Sequence, residues 1–118
     1  MAKYVDGFVL PVPTTKLSDY RKMAAKAGKI WREHGALEYF ECVGEELDVK
    51  FGMPFPKGIK TRPGETVVFS WIVYKSKAHR NSVNKKVMSD PRLKPDVNDM
   101  PFDVKRMLYG GFTAIVEA

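Results

Sequence analysis

The chain contains two histidines, His34 and His79, and a carboxylate beside an imidazole is the usual equipment for moving a proton. The carboxylates placed to serve them are Asp6 and Glu38. Two imidazoles with either acid could also hold a divalent metal, but the sequence has no paired cysteines and no H-E-x-x-H, so no metal is assigned. Asp6 is the hardest of these residues to dismiss. It interrupts the apolar run YVDGFVLPV, where a carboxylate is costly unless it sits toward a solvated strand end or has a partner such as Arg80 or a histidine. Each histidine also has a plain structural role available: His34 precedes Gly35, where a polar side chain can cap helix carbonyls, and His79 can bond the backbone near a helix start. The candidate catalytic set is therefore His34, His79 and Asp6. Arg80 is the candidate for holding a negative group, Trp31, Trp71 and Tyr74 for shaping the walls of a pocket, and Glu38 for completing its polar lining.

The elements that must position these residues follow from hydrophobic periodicity. Thr66 to Tyr74, TVVFSWIVY, is apolar on both sides of a strand: Val67, Phe69, Trp71 and Val73 alternate with Val68, Ile72 and Tyr74. Both sides must be covered. Lys3 to Val12 reads as a first strand ended by Pro11 and Pro13. Thr15 is the expected N-cap of a helix over 16–34, with Leu17, Tyr20, Ala24, Ala27, Ile30 and Trp31 at helical spacing and Gly35 as its left-handed stop. Leu37 to Gly44 returns to period two. The segment from Glu45 to Glu65 is rich in Gly and Pro and reads as a loop, yet Phe51, Met53 and Phe55 make it too apolar to be idle. Ser76 is expected to cap a second helix ending near Met88, before Asp90-Pro91, and Arg106 to Glu117 reads as a last strand with Gly110 and Gly111 at a bulge or close approach.

The order strand, helix, strand, strand, helix, strand is the α+β, ferredoxin-like βαββαβ unit with an antiparallel four-stranded sheet, and right-handed crossovers favour the first and third strands at its centre. Strand direction then gathers Asp6, Trp31, His34, Glu38, Tyr74, His79 and Arg80 at one end. Two helices roughly 10 Å across cover one face of a sheet roughly 19 Å wide. The other face, on the order of 500 Å², exceeds what a soluble monomer normally leaves bare, so a homodimer is expected.

Composition agrees with a single domain over residues 1–118: the chain is 44% hydrophobic, with a formal charge of +6. Neither a signal peptide nor a membrane span is read from the sequence, so the expected compartment is the cytoplasm, which a lone Cys42, expected to be a buried thiol, also fits. The basic residues fall on the helices, Lys16, Arg21, Lys22, Lys26, Lys29 and Arg32 on the first and Lys75, Lys77, Arg80, Lys85, Lys86, Arg92 and Lys94 around the second, as solvated faces do. Glu38, Glu41, Glu45, Glu46 and Asp48 form an acidic run. With no Gly-rich phosphate loop and no G-x-S-x-G, nucleotide and serine-hydrolase chemistry fall away, and no cofactor is assigned.

The phrases YVDGFVLPVP, WREHGALEYFECVG, GETVVFSWIVYKSKAHR, VMSDPR and MPFDVKRMLYGGF resemble those of the YbaA-like bacterial family, a domain of unknown function (DUF1428). The resemblance runs from residue 4 to residue 112 and implies the dimeric α/β-barrel superfamily, in which two ferredoxin-like subunits pack sheet on sheet. It implies no reaction. Asp6, Trp31, His34, Glu41, Cys42, Trp71, His79, Arg80, Asn84, Arg106 and Tyr109 all fall within the shared phrases.

The function expected is a homodimer that binds or transforms a small organic molecule, aromatic or anionic, in a pocket between sheet and helices. Two alternatives come from other classes. An RNA-binding module would use Phe8, Phe69 and Trp71 to stack bases, but the third strand lacks the basic-Gly opening of that signature and the dimer would compete for the same face, so a nucleic-acid partner is disfavoured. A stress-related binding protein without turnover is the third.

Overall fold

The computed structural model describes residues 2–93 and 100–118. Its elements are β1 (Tyr4–Pro13), a 3-10 turn (Thr14–Lys16), α1 (Leu17–Glu33), β2 (Glu38–Val43), the short helix α2 (Phe55–Gly58), β3 (Glu65–Tyr74), α3 (Lys77–Met88), a 3-10 turn (Val104–Arg106) and β4 (Leu108–Thr113). The strands pair antiparallel in the order β2-β3-β1-β4, which puts β1 and β3 at the centre of a ferredoxin-like α+β sheet. Lys94, counted above among the basic residues, lies outside the described residues.

Local signals account for most boundaries. Gly35, at φ +115°, ends α1, and the Ala36 N–H returns to the Trp31 carbonyl at 3.1 Å, closing the helix in the manner only a left-handed residue permits. Ser76 caps α3 by accepting the His79 N–H at 3.1 Å. Three expectations are corrected. Thr15 caps nothing, because the chain leaves β1 through Pro13 and winds through a 3-10 turn into α1 without a side-chain cap. The 45–65 segment does hold one helical turn, α2, which tolerates Pro56 because a first-turn residue has no carbonyl to bond. β4 stops at Thr113, opposite Tyr4, where its partner β1 begins, and Arg106 belongs to the turn before it.

β1 also outruns its expected end. Pro11 pairs with Val67 and Pro13 with Glu65 inside the β1–β3 ladder. The Thr14 N–H donates toward β3, to Gly64 O at 2.9 Å, while Lys3 O accepts from Ala114 on the β4 side. Odd-numbered groups of β1 thus point away from β3. Beyond Val9, the last residue paired with β4, the two prolines lack donors only where no strand is waiting for them.

The register separates the two faces of the sheet. Tyr4, Asp6, Phe8, Leu10 and Val12 stand beside Tyr74, Ile72, Ser70, Val68 and Thr66, and most of them pack under the helices. One core cluster joins Ile30, Ala36, Ile72, Tyr74, Val83 and Val87; the other joins Leu10, Val12, Tyr20, Ala24 and Val68. Val67, Phe69, Trp71 and Val73 take the opposite face, as period two requires. There Phe40 stacks on Trp71 at 5.0 Å, and Phe55 of α2 meets Phe69 edge-on at 6.1 Å, so the apolar loop packs on this outer face. Phe40, Phe69, Leu108 and Phe112 nevertheless stay 43–62% exposed.

Candidate functional site

Asp6 sits on β1 facing α3, 2% exposed, with Arg80 Nη1 at 3.4 Å. Arg80 reaches it from the second turn of the helix that Ser76 starts, lies over the Tyr4 ring at 4.9 Å, and donates to the Tyr4 and Tyr109 hydroxyls at 3.3 and 3.4 Å. Tyr74 lies fully buried beside them, accepting from Trp31 Nε1 at 3.1 Å and donating to Asn84 Oδ1 at 3.3 Å. Burial raises the Asp6 carboxyl above its ordinary range, against the Arg80 charge and the Tyr74 hydroxyl, which favour the ionised form. Among the described residues, Asp6 Oδ1 and Arg80 Nε have no hydrogen-bond partner. The aromatic Tyr74 is held protonated by the same burial and by the neighbouring Asp6 charge.

The histidines have other partners. His34 Nε2 lies 2.8 Å from Asp90 Oδ2, tying the end of α1 to the turn after α3, where Arg92 also binds Asp90 and Glu33. Arg92 and His34 hold the Asp90 carboxyl well below the usual range. His79 Nδ1 accepts the Lys75 N–H at 3.0 Å, its ring meets Tyr74 edge-on, and its Nε2 lies against Gly35. Burial, then the charges of Lys75 and Lys86, lower its pKa. Neither imidazole bonds Asp6, so the expected proton relay of Asp6 with His34 or His79 is corrected to two separate structural pairings. Among the described residues no group of three potential metal ligands converges.

Trp71, expected as a pocket wall, and Glu38, expected in its polar lining, fall on the other side of the sheet. Trp71 and Glu38 pair with Gly7 or Phe40 and with Val73, so they belong to the outer face and cannot line a pocket under the helices. Cys42, expected to be buried, is exposed, because it pairs with Phe69 and so stands on the outer face of the sheet at its edge. Phe8 points inward and stacks on Tyr109 at 4.9 Å, which removes it from any outer-face base-stacking set.

The open space under the helices lies elsewhere. A groove of about 670 Å³ runs between α1 and β2, floored by Tyr20, Tyr39, Glu41 and Val68, with Arg21, Lys29 and Arg32 along its helical side. It exists because α1 presents Ala24, Ala25 and Gly28 there; a Cβ on Gly28 would sit 2.6 Å from a Tyr39 ring carbon. Behind its floor is a smaller cavity of about 130 Å³ walled by Phe8, Leu10, Met23, Trp31, Ile72, Phe102 and Met107. Glu41, Tyr20 and Tyr39 border both. The Tyr20 hydroxyl donates to Glu41 Oε1 and the Tyr39 hydroxyl to Oε2, each at 2.7 Å. Burial first, and then the Glu41 charge, push both phenols far above their ordinary pKa, so they remain donors. The segment carrying Phe102 and Met107 is clamped by Arg106, which makes a two-pronged contact with Glu65 at 2.6 and 2.9 Å and lowers the Glu65 pKa to about 2.

Sequence reasoning missed this group. Glu41 was assigned to an acidic run, and the more apolar side of β2 is Phe40 and Cys42, so hydrophobicity alone turns the wrong face inward. The available signal was the i, i+2 spacing of Tyr39 and Glu41 on one face of a strand.

Comparison with known proteins adds the following. The family model described as "Protein of unknown function (DUF1428)" matches residues 3–104. The chain is 49% identical over 115 residues to the uncharacterized protein YbaA of Escherichia coli K12, covering 98% of each, and equally to that of Shigella flexneri. Among solved structures it is similar to a dimeric ferredoxin-like protein from an uncultured marine organism, at TM-score 0.62 and 8% identity over the full length of both chains. It is also similar to the de novo designed protein Foldit4, at TM-score 0.50 and 14% identity, covering 98% and 99% of the two chains. These likenesses support the ferredoxin-like fold.

Proposed function

The chain belongs to the DUF1428 family, and from that premise we propose that it is a cytoplasmic homodimer, one domain per subunit, which binds a small aromatic anion between α1 and the sheet. One observation carries this: the groove of about 670 Å³ joins a floor of aromatic and aliphatic side chains, with Glu41 its one acid among the described residues, to a rim with Arg21 and Lys29 on it. Flat, apolar surface suits an aromatic body, and a pair of cations at the edge suits a negative group on that body. Arg32 supports the rim, its guanidinium anchored on the Ala36 and Leu37 carbonyls. Trp31 would wall the inner end. Arg80, engaged with Asp6, is not spare to hold the anion, and the histidines contribute by bracing α1 and α3.

Benzoate is a suitable probe. Saturable amide shifts in an NMR titration, confined to residues such as Ala24, Gly28, Lys29 and Val43, are expected, and Arg21→Glu with Lys29→Glu should abolish them. No saturable shifts, or shifts insensitive to the double charge reversal, would overturn the proposal.

The homodimer rests on the exposed outer face and on a structural neighbour whose own description is dimeric. Trp71→Lys should give a folded monomer by sedimentation, since Trp71 stands on that face, whereas Ile72→Lys, at a position 3% exposed in the core, should unfold the chain. Native protein that sediments as a monomer at micromolar concentration sinks this part.

A further inference from the structure

We infer that Glu41 is the acceptor for a ligand hydroxyl, so that the groove selects hydroxylated aromatic anions; this rests on the small-molecule function proposed above and names its substrate class. A carboxylate offers about four lone-pair sites. Here Tyr20 and Tyr39 fill one on each oxygen, and among the described residues no salt bridge engages Glu41. Among the described residues, Glu41 is thus a carboxylate with unused acceptor capacity and only neutral partners, and it is the one acidic residue bordering both cavities.

A residue kept for packing alone would have no need of charge at this place. Facing a helix from an edge strand, an aliphatic side chain with phenylalanines in place of Tyr20 and Tyr39 would pack here with no polar group to satisfy. What the two tyrosines achieve is orientation. Rising from α1 and from β2, they hold both carboxylate oxygens fixed at the boundary between groove and inner cavity.

The partner such a group lacks is a donor. An ammonium would satisfy it, but the cations Arg21 and Lys29 on the same groove repel one. A neutral hydroxyl meets no such opposition, and an anionic group elsewhere on the same molecule would be drawn to that rim. Glu41 and the rim together therefore describe a molecule with a hydroxyl at one end and a negative charge at the other, joined by a flat apolar body.

The test compares 4-hydroxybenzoate, 4-methoxybenzoate, benzoate and benzylamine by calorimetry or NMR on the full chain. The hydroxyl compound should bind about tenfold or more tightly than the methoxy one, the difference a hydrogen bond to a charged group makes. Glu41→Gln should erase that preference, read as the ratio of 4-hydroxybenzoate to 4-methoxybenzoate affinity on the same variant, so that any change in groove affinity common to both compounds cancels. Tyr39→Phe keeps the carboxylate but releases one of its oxygens, so it should weaken 4-hydroxybenzoate binding more than benzoate binding, where a merely structural Glu41 would predict equal losses. Equal binding of the hydroxyl and methoxy compounds, a preference that survives Glu41→Gln, or tighter binding of benzylamine than of benzoate would each overturn the inference. In the first of these cases the groove still binds aromatic anions; saturable binding by none of the four overturns both proposals.

Discussion

Asp6 and Glu41 are both carboxylates on strands, both turned toward the helices, and both attended by tyrosine hydroxyls, but their surroundings are opposite. Asp6 is walled in: 2% exposed, with a guanidinium at 3.4 Å and packed side chains around it. Glu41, among the described residues, has neutral donors alone and opens on two cavities. Residue type pointed to Asp6, because a carboxylate in an apolar strand is rare and expensive. Space points to Glu41. A carboxylate sealed in with its counter-charge acts on the fold, whereas one held by neutral donors at the edge of two cavities can still meet something from outside.

The largest effect that would break this contrast is expected at Arg80. Arg80→Met strands the Asp6 carboxylate and should cost about 3 kcal/mol near neutral pH by urea denaturation. The pH dependence follows from the sign of the shift. Asp6 has a raised pKa in the folded chain, so the folded state holds its proton more tightly than the unfolded state does. Below the unfolded value of 3.8 both states are protonated and the penalty vanishes; it grows as pH rises from there through the folded pKa. Stability of the variant relative to wild type should therefore fall as pH rises. Groove binding of benzoate, measured on the folded fraction, should be unchanged. A loss at Arg80→Met below about 1 kcal/mol, or a variant most deficient at low pH, would mean Asp6 is not held by this pair.

A smaller effect sharpens the other half. Gly28→Ala improves helix propensity by about 1 kcal/mol, but its methyl meets the Tyr39 ring, and overpacking costs about 1–3 kcal/mol. A net loss near 1 kcal/mol is expected, with Tyr39 displaced from Glu41 and groove binding weakened. If Gly28→Ala is stabilising and binds probes normally, the ring has room to move and the Tyr39–Glu41 contact does not order the groove.

The fold was largely legible because its signals are local and redundant. Gly35 and Ser76 mark helix ends by backbone geometry and side-chain capping that belong to those residues alone, and the two-sided TVVFSWIVY strand could only be central. The site was legible only in part. Strand direction correctly brought Asp6, Tyr74 and Arg80 together and set both histidines near the end of α1. It could not say whether a gathering of polar groups encloses a cavity, because voids depend on side-chain volumes from several elements at once. The face of Trp71 was undecidable for a related reason: when the outer side of a sheet is itself apolar, alternation has no polar side to mark solvent.

The prolines of β1 have a consequence for how copies of this chain can meet. Past Val9 the flank of β1 has no β4 strand beside it, and a strand flank without a partner is a template on which a foreign strand can add itself where it is reached. At Pro11 and Pro13 that flank has no hydrogen to offer, so a recruited strand finds carbonyls without the alternating donors a ladder needs. Strand addition, the route by which open sheets become fibrils, is thus opposed twice over along this part of a central strand, by the burial of Pro11 and by the donors that both prolines lack.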